Sequence, residues 1–179
     1  ALTCVLSSGK FSDPRSGWLI YQDQNAWNVR LYNKNGLNFT QSLVASNPIV
    51  AGTWYHIAAS WDPADPAGPM IKFFLNGELM NFAVVDPLVS NPIYVPSDGG
   101  TLNIGSRADG AFKWSGSIDE VAVYGAALTE AELTAHYLNG MDAARTTPYQ
   151  TLILAGAPLA YWRLNETIQP RVELNTLNY

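Results

Sequence analysis

Most of the first 124 residues alternate between apolar and polar side chains, which is the pattern of β-strands with one buried face. Turn-rich stretches such as SGKFSDPRS and DQN separate the alternating runs. Many short strands joined by turns are typical of an antiparallel sandwich or jelly roll. The strands are predicted in TCVLS (3–7), GWLIYQ (17–22), AWNVRLYN (26–33), LNFTQSLVA (37–45), TWYHIAASWD (53–62), MIKFFLNGELMNFAVV (70–85), TLNIGSR (101–107) and SIDEVAVYG (117–125).

Two local signals fix the ends of predicted elements. Asn76-Gly77 within FFLNGELM predicts a two-residue hairpin, because both central residues of a type I′ turn need positive φ. Thr129 and Glu132 have the spacing of a capping box at the start of a helix. Gly140 is predicted to end that helix.

An apolar segment close to the end of the chain, PLAYWRLNET (158–167), resembles the first strand of a β domain rather than a last one. It follows a small-residue linker at 141–148 and a possible second short helix at 149–156. We therefore divide the chain into a β domain (1–140), a linker with a short helix (141–157) and an opening-type strand segment (158–179).

Composition and charge limit the classes of function. Hydrophobic residues make up 47% of the chain and charged residues 14%, with a net charge of −5. The ten Lys and Arg residues do not cluster, so the basic surface of a nucleic-acid-binding protein is not expected. Apolar runs are short and interrupted, so no membrane span is expected. The single cysteine, Cys4, is predicted to be a small core residue.

Several stretches, in order, resemble the concanavalin A-like, laminin G-like jelly rolls of bacterial extracellular proteins. They are GTWYHIAASWD, IKFFLNGELM, TLNIGSR and FKWSGSIDEVAVYGAALTEAELTAHY. The resemblance implies an all-β concanavalin A-like jelly-roll sandwich of two antiparallel sheets, with a short C-terminal helix and, here, an additional late strand. It also implies a secreted or cell-surface location in a bacterium.

The late strand is where the chain departs from this family, whose domains open with a strand like Y-W-R-L-x-E. In the family the opening and closing strands lie side by side, so SIDEVAVYG without a partner would expose an unpaired edge. Three interpretations are left open: a slice of a tandem array, a circular permutation that pairs the strand with its own domain, or a subunit that donates its strand by β-strand addition. The assembly residues would be Tyr161, Trp162, Arg163 and Leu164.

Catalysis is not predicted, although glycosidases share this fold. A retaining glycosidase needs two carboxyl groups about 5–5.5 Å apart, which on a strand means acidic residues two or four positions apart. No glutamate here belongs to an E-x-D-x-E or E-x-D-x-x-E arrangement, and Asp119 and Glu120 are adjacent. Glu130 and Glu132 lie in the predicted helix rather than on a strand. The two histidines, His56 and His136, are isolated in sequence and are predicted to be structural.

Calcium is the one cofactor that the sequence suggests. In the wider superfamily a structural calcium often lies where the opening and closing strands meet, and Asp119 matches the closing-strand aspartate. Asn165 or Glu166 would add oxygen ligands if the late strand pairs with this domain. The alternative is that Asp119 accepts hydrogen bonds from nearby backbone.

Glycan binding would require aromatic and polar side chains on an exposed face. Alternation in AWNVRLY assigns Trp27, Val29 and Leu31 to the core. The predicted ligand-binding residues are those of the opposite face and of nearby loops: Asn28, Arg30, Tyr32, Tyr94, Asp109 and Trp114.

Together these features predict a non-catalytic extracellular module. The first hypothesis is a structural or adhesion repeat, or a filament subunit, whose partners are copies of itself or neighbouring repeats. The second hypothesis is a carbohydrate-binding module of a larger secreted enzyme or adhesin.

Overall fold

The computed structural model describes residues 2–12, 15–32, 38–43, 48–62, 71–80, 82–86 and 101–165. Within them the chain forms eleven strands and two helices. In order these are β1 (Thr3–Lys10), β2 (Ser16–Asp23), β3 (Ala26–Tyr32), β4 (Asn38–Leu43), β5 (Ile57–Trp61), β6 (Ile71–Leu75), β7 (Glu78–Leu79), β8 (Phe82–Asp86), β9 (Leu102–Ile104), β10 (Val121–Val123), α1 (Glu130–Met141), α2 (Tyr149–Ala155) and β11 (Ala160–Trp162).

The strands form two layers with antiparallel pairing. One layer is a six-stranded sheet in the order β8-β4-β3-β2-β1-β9. The other contains a three-stranded sheet, β5-β6-β7, and a two-stranded sheet, β10-β11. The predicted all-β jelly-roll architecture is confirmed, and the second layer is divided between the two smaller sheets.

The core lies between these layers, where alternate residues of the large sheet meet β6. Trp27, Val29 and Leu31 pack with Ile71 and Phe73 in one buried cluster, so the predicted core face of β3 is confirmed. A cavity of about 900 Å³ remains between the layers and is lined by both smaller sheets and by α1.

The outer face of the large sheet carries a second buried cluster. It contains Cys4, Leu19, Tyr21 and Tyr32. Cys4 is fully buried, as predicted, and burial raises the pKa of its thiol to about 11. Its thiol is therefore a packing group rather than a nucleophile.

The predicted hairpin turn is confirmed, because Asn76 and Gly77 have φ values of 52° and 80°. The turn also links β6 to the segment that precedes β5. The Asn76 N–H donates to the carbonyl of His56 at 2.8 Å, and the Asn76 side-chain oxygen accepts from the His56 N–H at 3.0 Å.

The capping box at the start of α1 is also confirmed. The Glu132 carboxylate accepts from the Thr129 N–H at 2.7 Å, and the Thr129 hydroxyl accepts from the Glu132 N–H at 3.3 Å. The prediction that Gly140 ends the helix was wrong, because α1 continues to Met141 and Asp142 is the C-cap. A Cβ at Gly140 would lie 3.3 Å from the Tyr149 ring. The missing side chain therefore allows α2 to pack closely against α1.

Candidate assembly site at the junction of β10 and β11

The late strand β11 pairs with the closing strand β10 of the same chain. The antiparallel register matches Val121 with Trp162, Ala122 with Tyr161 and Val123 with Ala160. Two backbone hydrogen bonds extend the ladder at its ends, from the N–H of Leu159 to Val123 at 2.7 Å and from the N–H of Glu120 to Arg163 at 3.2 Å. The family's expected neighbour for the closing strand is thus present in the structure.

The Glu120 side chain forms hydrogen bonds with two residues of the late segment across this junction. Its carboxylate accepts a hydrogen bond from the Tyr161 hydroxyl and one from Arg163 Nε, the latter at 3.3 Å. Glu120 itself has a φ of 53°, a left-handed conformation that is unfavourable for a residue with a Cβ. Such a conformation persists only where the surrounding contacts hold it.

Burial and the Glu120 carboxylate both raise the pKa of Tyr161 above its usual range, burial having the larger effect. Each disfavours the phenolate, burial by desolvation and the carboxylate by accepting the phenol proton and repelling a second negative charge. The Tyr161 hydroxyl is therefore a hydrogen-bond donor at neutral pH.

Helix α2 supports the junction from one side. Arg163 Nη1 donates to the side-chain oxygen of Gln150 at 3.1 Å, and the Tyr124 hydroxyl donates to the Ile153 carbonyl at 3.3 Å. Burial, followed by the charge of Glu120, raises the pKa of Tyr149 to about 12. The two hydrogen bonds connect the helix to the residues that directly follow β10 and β11.

Apolar side chains of the late segment remain accessible. Leu159 is 74% exposed, and Trp162 and Leu164 are each 38% exposed. Strand β11 is also an edge of its two-stranded sheet. An apolar edge strand is a surface on which another strand can add.

The four residues predicted for assembly are therefore brought to this junction, each in a different setting. Tyr161 and Arg163 contact Glu120, Trp162 pairs with Val121, and Leu164 follows the strand in an exposed position with a φ of 56°.

The predicted calcium residues do not form a complete ligand set in the described structure. Asp119 is exposed, and its Oδ1 accepts the Glu120 N–H at 2.9 Å. Asn165 is also exposed, whereas Glu166 lies outside the described residues. The described ranges contain no group of three or more His, Cys, Asp or Glu side chains suited to a metal. Two oxygen-bearing residues are fewer than calcium requires, so this site stays a prediction.

The predicted ligand-binding residues of β3 lie on the outer face of the large sheet but are largely buried there. Tyr32 is 1% exposed and Asn28 6% exposed. Phe11 packs edge-on to the Tyr32 ring at 5.8 Å. Arg30 lies over the Tyr21 ring at 5.2 Å and donates to the Tyr21 hydroxyl at 3.1 Å. These contacts give Arg30 and Tyr32 a packing role in this face.

The predicted loop residues are also engaged within the domain. Trp114 stacks on Trp27 with ring centroids 5.7 Å apart, at the edge of the core. Asp109 accepts two hydrogen bonds from Arg107, at 2.9 and 2.6 Å, which lower the pKa of its carboxyl to about 2. Tyr94 lies outside the described residues, and its ligand-binding role stays a prediction.

Sequence analysis missed the role of Glu120. The resemblance to the family pointed to the neighbouring Asp119 instead. A signal for Glu120 lies in the register of the two strands. When Ala122 pairs with Tyr161, Glu120 lies opposite Arg163. Opposite charges at facing positions stabilise a strand pair.

Comparison with known families agrees with this architecture. A family model described as the Concanavalin A-like lectin/glucanases superfamily, Laminin_G_3, matches residues 3–134, which is most of the chain. The chain belongs to this laminin G-type family. The predicted family is thus confirmed. No curated protein matched the chain, and no solved structure matched it.

The family match ends within α1, so α2 and β11 lie beyond the matched laminin G-type region. The pairing of β11 with β10 is consequently a property of this chain's own structure. Within the part of the chain that the structure describes, no helix is long and apolar enough to cross a membrane.

Proposed function

We propose that this laminin G-type domain is a non-catalytic structural module of a secreted or cell-surface bacterial protein, joined to neighbouring units by its late strand. The observation that carries the proposal is the β10–β11 junction fastened by Glu120. The partners would be copies of the chain or adjacent repeats, each covering the closing strand of another unit.

The pairing of β11 with β10 supports exchange of β11 between units because the paired region is short. Strand β11 contributes three paired residues, and the same hydrogen bonds form whether the strand comes from the same unit or from another. Exchanging an identical element between protomers is a low-cost route to association. The exposed side chains of Leu159 and Trp162 add apolar surface that a neighbouring unit would cover.

The first test compares the full chain with a version that ends at Gly140, using light scattering over a range of protein concentrations. We expect the full chain to form oligomers as concentration rises and the truncated chain to remain monomeric. Removing β11 leaves β10 without its partner, so the truncated chain should also be less stable.

A peptide-binding experiment distinguishes strand exchange from non-specific association. A fluorescent peptide of residues 157–165 should bind the truncated chain and should bind the full chain far more weakly. A scrambled peptide of the same composition is the control. If both chains are stable monomers and neither distinguishes the two peptides, the proposal is wrong.

Carbohydrate binding is the second candidate function. The observation that favours it is Trp54, which is 64% exposed and lies at the cavity between the layers. The superfamily description also includes lectins. A glycan-array screen tests this function. Trp54→Ala should remove any binding, whereas substitution of the exposed Val50 by Ala should not.

A further inference from the structure

Helix α1 approaches the sandwich closely at Gly77. The Thr134 hydroxyl donates to the Gly77 carbonyl at 2.7 Å. A Cβ at Gly77 would lie 3.1 Å from Thr134 Cα and 3.2 Å from Tyr137 Cβ. The Tyr137 ring also lies 6.3 Å from the ring of His56, the residue before β5. The helix therefore rests on the hairpin turn and on His56.

His56 lies at this contact, and the second histidine, His136, precedes Tyr137 on α1. His136 is 5% exposed, with ring centroids 6.4 Å from Tyr124 and 6.5 Å from Tyr149. The Nδ1 atom of His56 is buried and has no hydrogen-bond partner among the described residues. Both rings line the cavity between the layers, one from the sandwich and one from the helix.

Burial, rather than the surrounding charged groups, favours two neutral rings. Glu132 lies one turn before His136 on α1 and favours its protonation, but burial outweighs it, so the pKa of His136 is lowered. Burial and the nearby His136 lower the pKa of His56 to about 4. The phenol rings of Tyr124, Tyr137 and Tyr149 face the two imidazoles. Asp119, Glu120 and Arg145 line the same cavity.

We propose that His56 and His136 form an acid-sensitive latch that holds α1, and with it α2 and β11, against the sandwich. At neutral pH both rings are uncharged and pack against tyrosines. In acid each ring gains a charge in a buried position close to the other charge, and moving α1 away from β5 returns both rings to water. Where the proposed strand exchange holds, this opening releases β11 to a neighbour.

The pH dependence of the latch follows from the lowered pKa values of the two histidines. Both histidines have folded pKa values below the usual value of about 6.5. The open state therefore binds more protons, and the latch weakens as pH falls from about 6.5 towards 4. Above about pH 6.5 the latch is fully closed.

Amide hydrogen exchange on the full chain at pH 7 and pH 4.5 tests the latch, with rates corrected for intrinsic exchange. We expect protection in α1 and β11 to fall at least about tenfold at pH 4.5, as one pKa unit of coupling requires. Protection in β2 and β3 should stay unchanged. The double variant His56→Gln, His136→Gln keeps every carboxylate, and its α1 protection should not respond to pH. An equal loss in the core, or the same loss in the double variant, overturns the proposal.

A titration of the unmodified chain covers the case in which the double variant does not fold. NMR signals of the two imidazoles should titrate below the ordinary imidazole range and together with the opening of α1. Titration of both near 6.5 overturns the latch. Light scattering at pH 4.5 then separates the two proposals. If α1 opens in acid but no oligomers form, the strand-exchange proposal is wrong and the latch proposal stands. If oligomers form equally at both pH values and α1 does not open, the latch proposal is wrong and strand exchange stands.

Discussion

The Glu120 carboxylate accepts the Tyr161 hydroxyl hydrogen across the junction of the closing and late strands. The register sets Tyr161 opposite Ala122, and Glu120, which directly precedes β10, reaches the Tyr161 side chain diagonally. This diagonal contact makes the fit of the late strand depend on which residue precedes the closing strand. A strand that lacks a donor at this position would fit less well.

Removing the Tyr161 hydroxyl should loosen the junction. We expect Tyr161→Phe to lower the free energy of unfolding by about 1–2 kcal/mol, because a partly buried carboxylate loses a donor. Arg163→Gln is the matched control. It breaks a longer and more exposed ion pair, so it should lower the free energy by less than about 1 kcal/mol. Urea unfolding measures both changes, and equal effects would contradict a special role for Tyr161.

The same hydroxyl should make the chain sensitive to alkaline pH. The pKa of Tyr161 is raised in the folded chain, so the folded state retains this proton when the unfolded chain has lost it. The contribution is present below about pH 10 and is lost as pH rises through the folded value. Unfolding free energies between pH 9 and 11.5 should therefore fall more steeply in the native chain than in Tyr161→Phe. Parallel curves would disprove the coupling.

Substituting Gly77 should test the contact of α1 with the hairpin. Gly77→Ala combines a φ of +80° with close approach to Thr134 and Tyr137. Gly110→Ala has a similar φ of +78° and no atom within 4 Å of the added Cβ, so it isolates the backbone strain of about 1 kcal/mol. We expect Gly77→Ala to destabilise the chain by at least about 1 kcal/mol more than Gly110→Ala. Equal losses of unfolding free energy would show that the close contact contributes nothing.

The part-exposed side chain of Trp162 should contribute to association as well as to folding. We expect Trp162→Ser to reduce oligomer formation, because 38% of this residue stays exposed within the unit, and to lower the melting temperature, because the rest is covered there. Leu138→Ser is the matched control, since Leu138 is 59% exposed on α1. Sedimentation velocity at several concentrations measures both variants. Association that survives in Trp162→Ser would place the interface elsewhere.

The sequence predicts this fold well where a signal is local. The turn at Asn76-Gly77 and the capping box of Thr129 and Glu132 depend on residues next to each other, and both form as expected. Gly140 shows the limit of such signals. Glycine commonly ends helices, but here the residue lacks a side chain because Tyr149 packs against it. The contact with Tyr149, nine residues further along the chain, therefore accounts for the glycine at this position.

The candidate sites were harder to predict for the same reason. Alternation in β3 correctly separates Trp27 from Tyr32, but it does not reveal whether the second face is covered. Tyr32 is buried on that face beside Phe11. Likewise, the choice between Asp119 and Glu120 depends on the left-handed conformation of Glu120 and on strand register. Neither can be read from single residues.

The chain between β10 and β11 also determines how readily a strand from another unit displaces β11 from β10. Its exposed segment from Asp142 to Pro148 keeps β11 tethered beside β10, and short tethers hold a binding segment at an effective concentration of about millimolar. A free copy of the strand must approach that concentration to displace it. A strand carried by a covalently linked neighbour starts at a similar effective concentration, so exchange is favoured within one long polypeptide over exchange between separate molecules. Cleavage at Arg145 within this exposed segment would turn the pairing into a bimolecular equilibrium that dilution reverses.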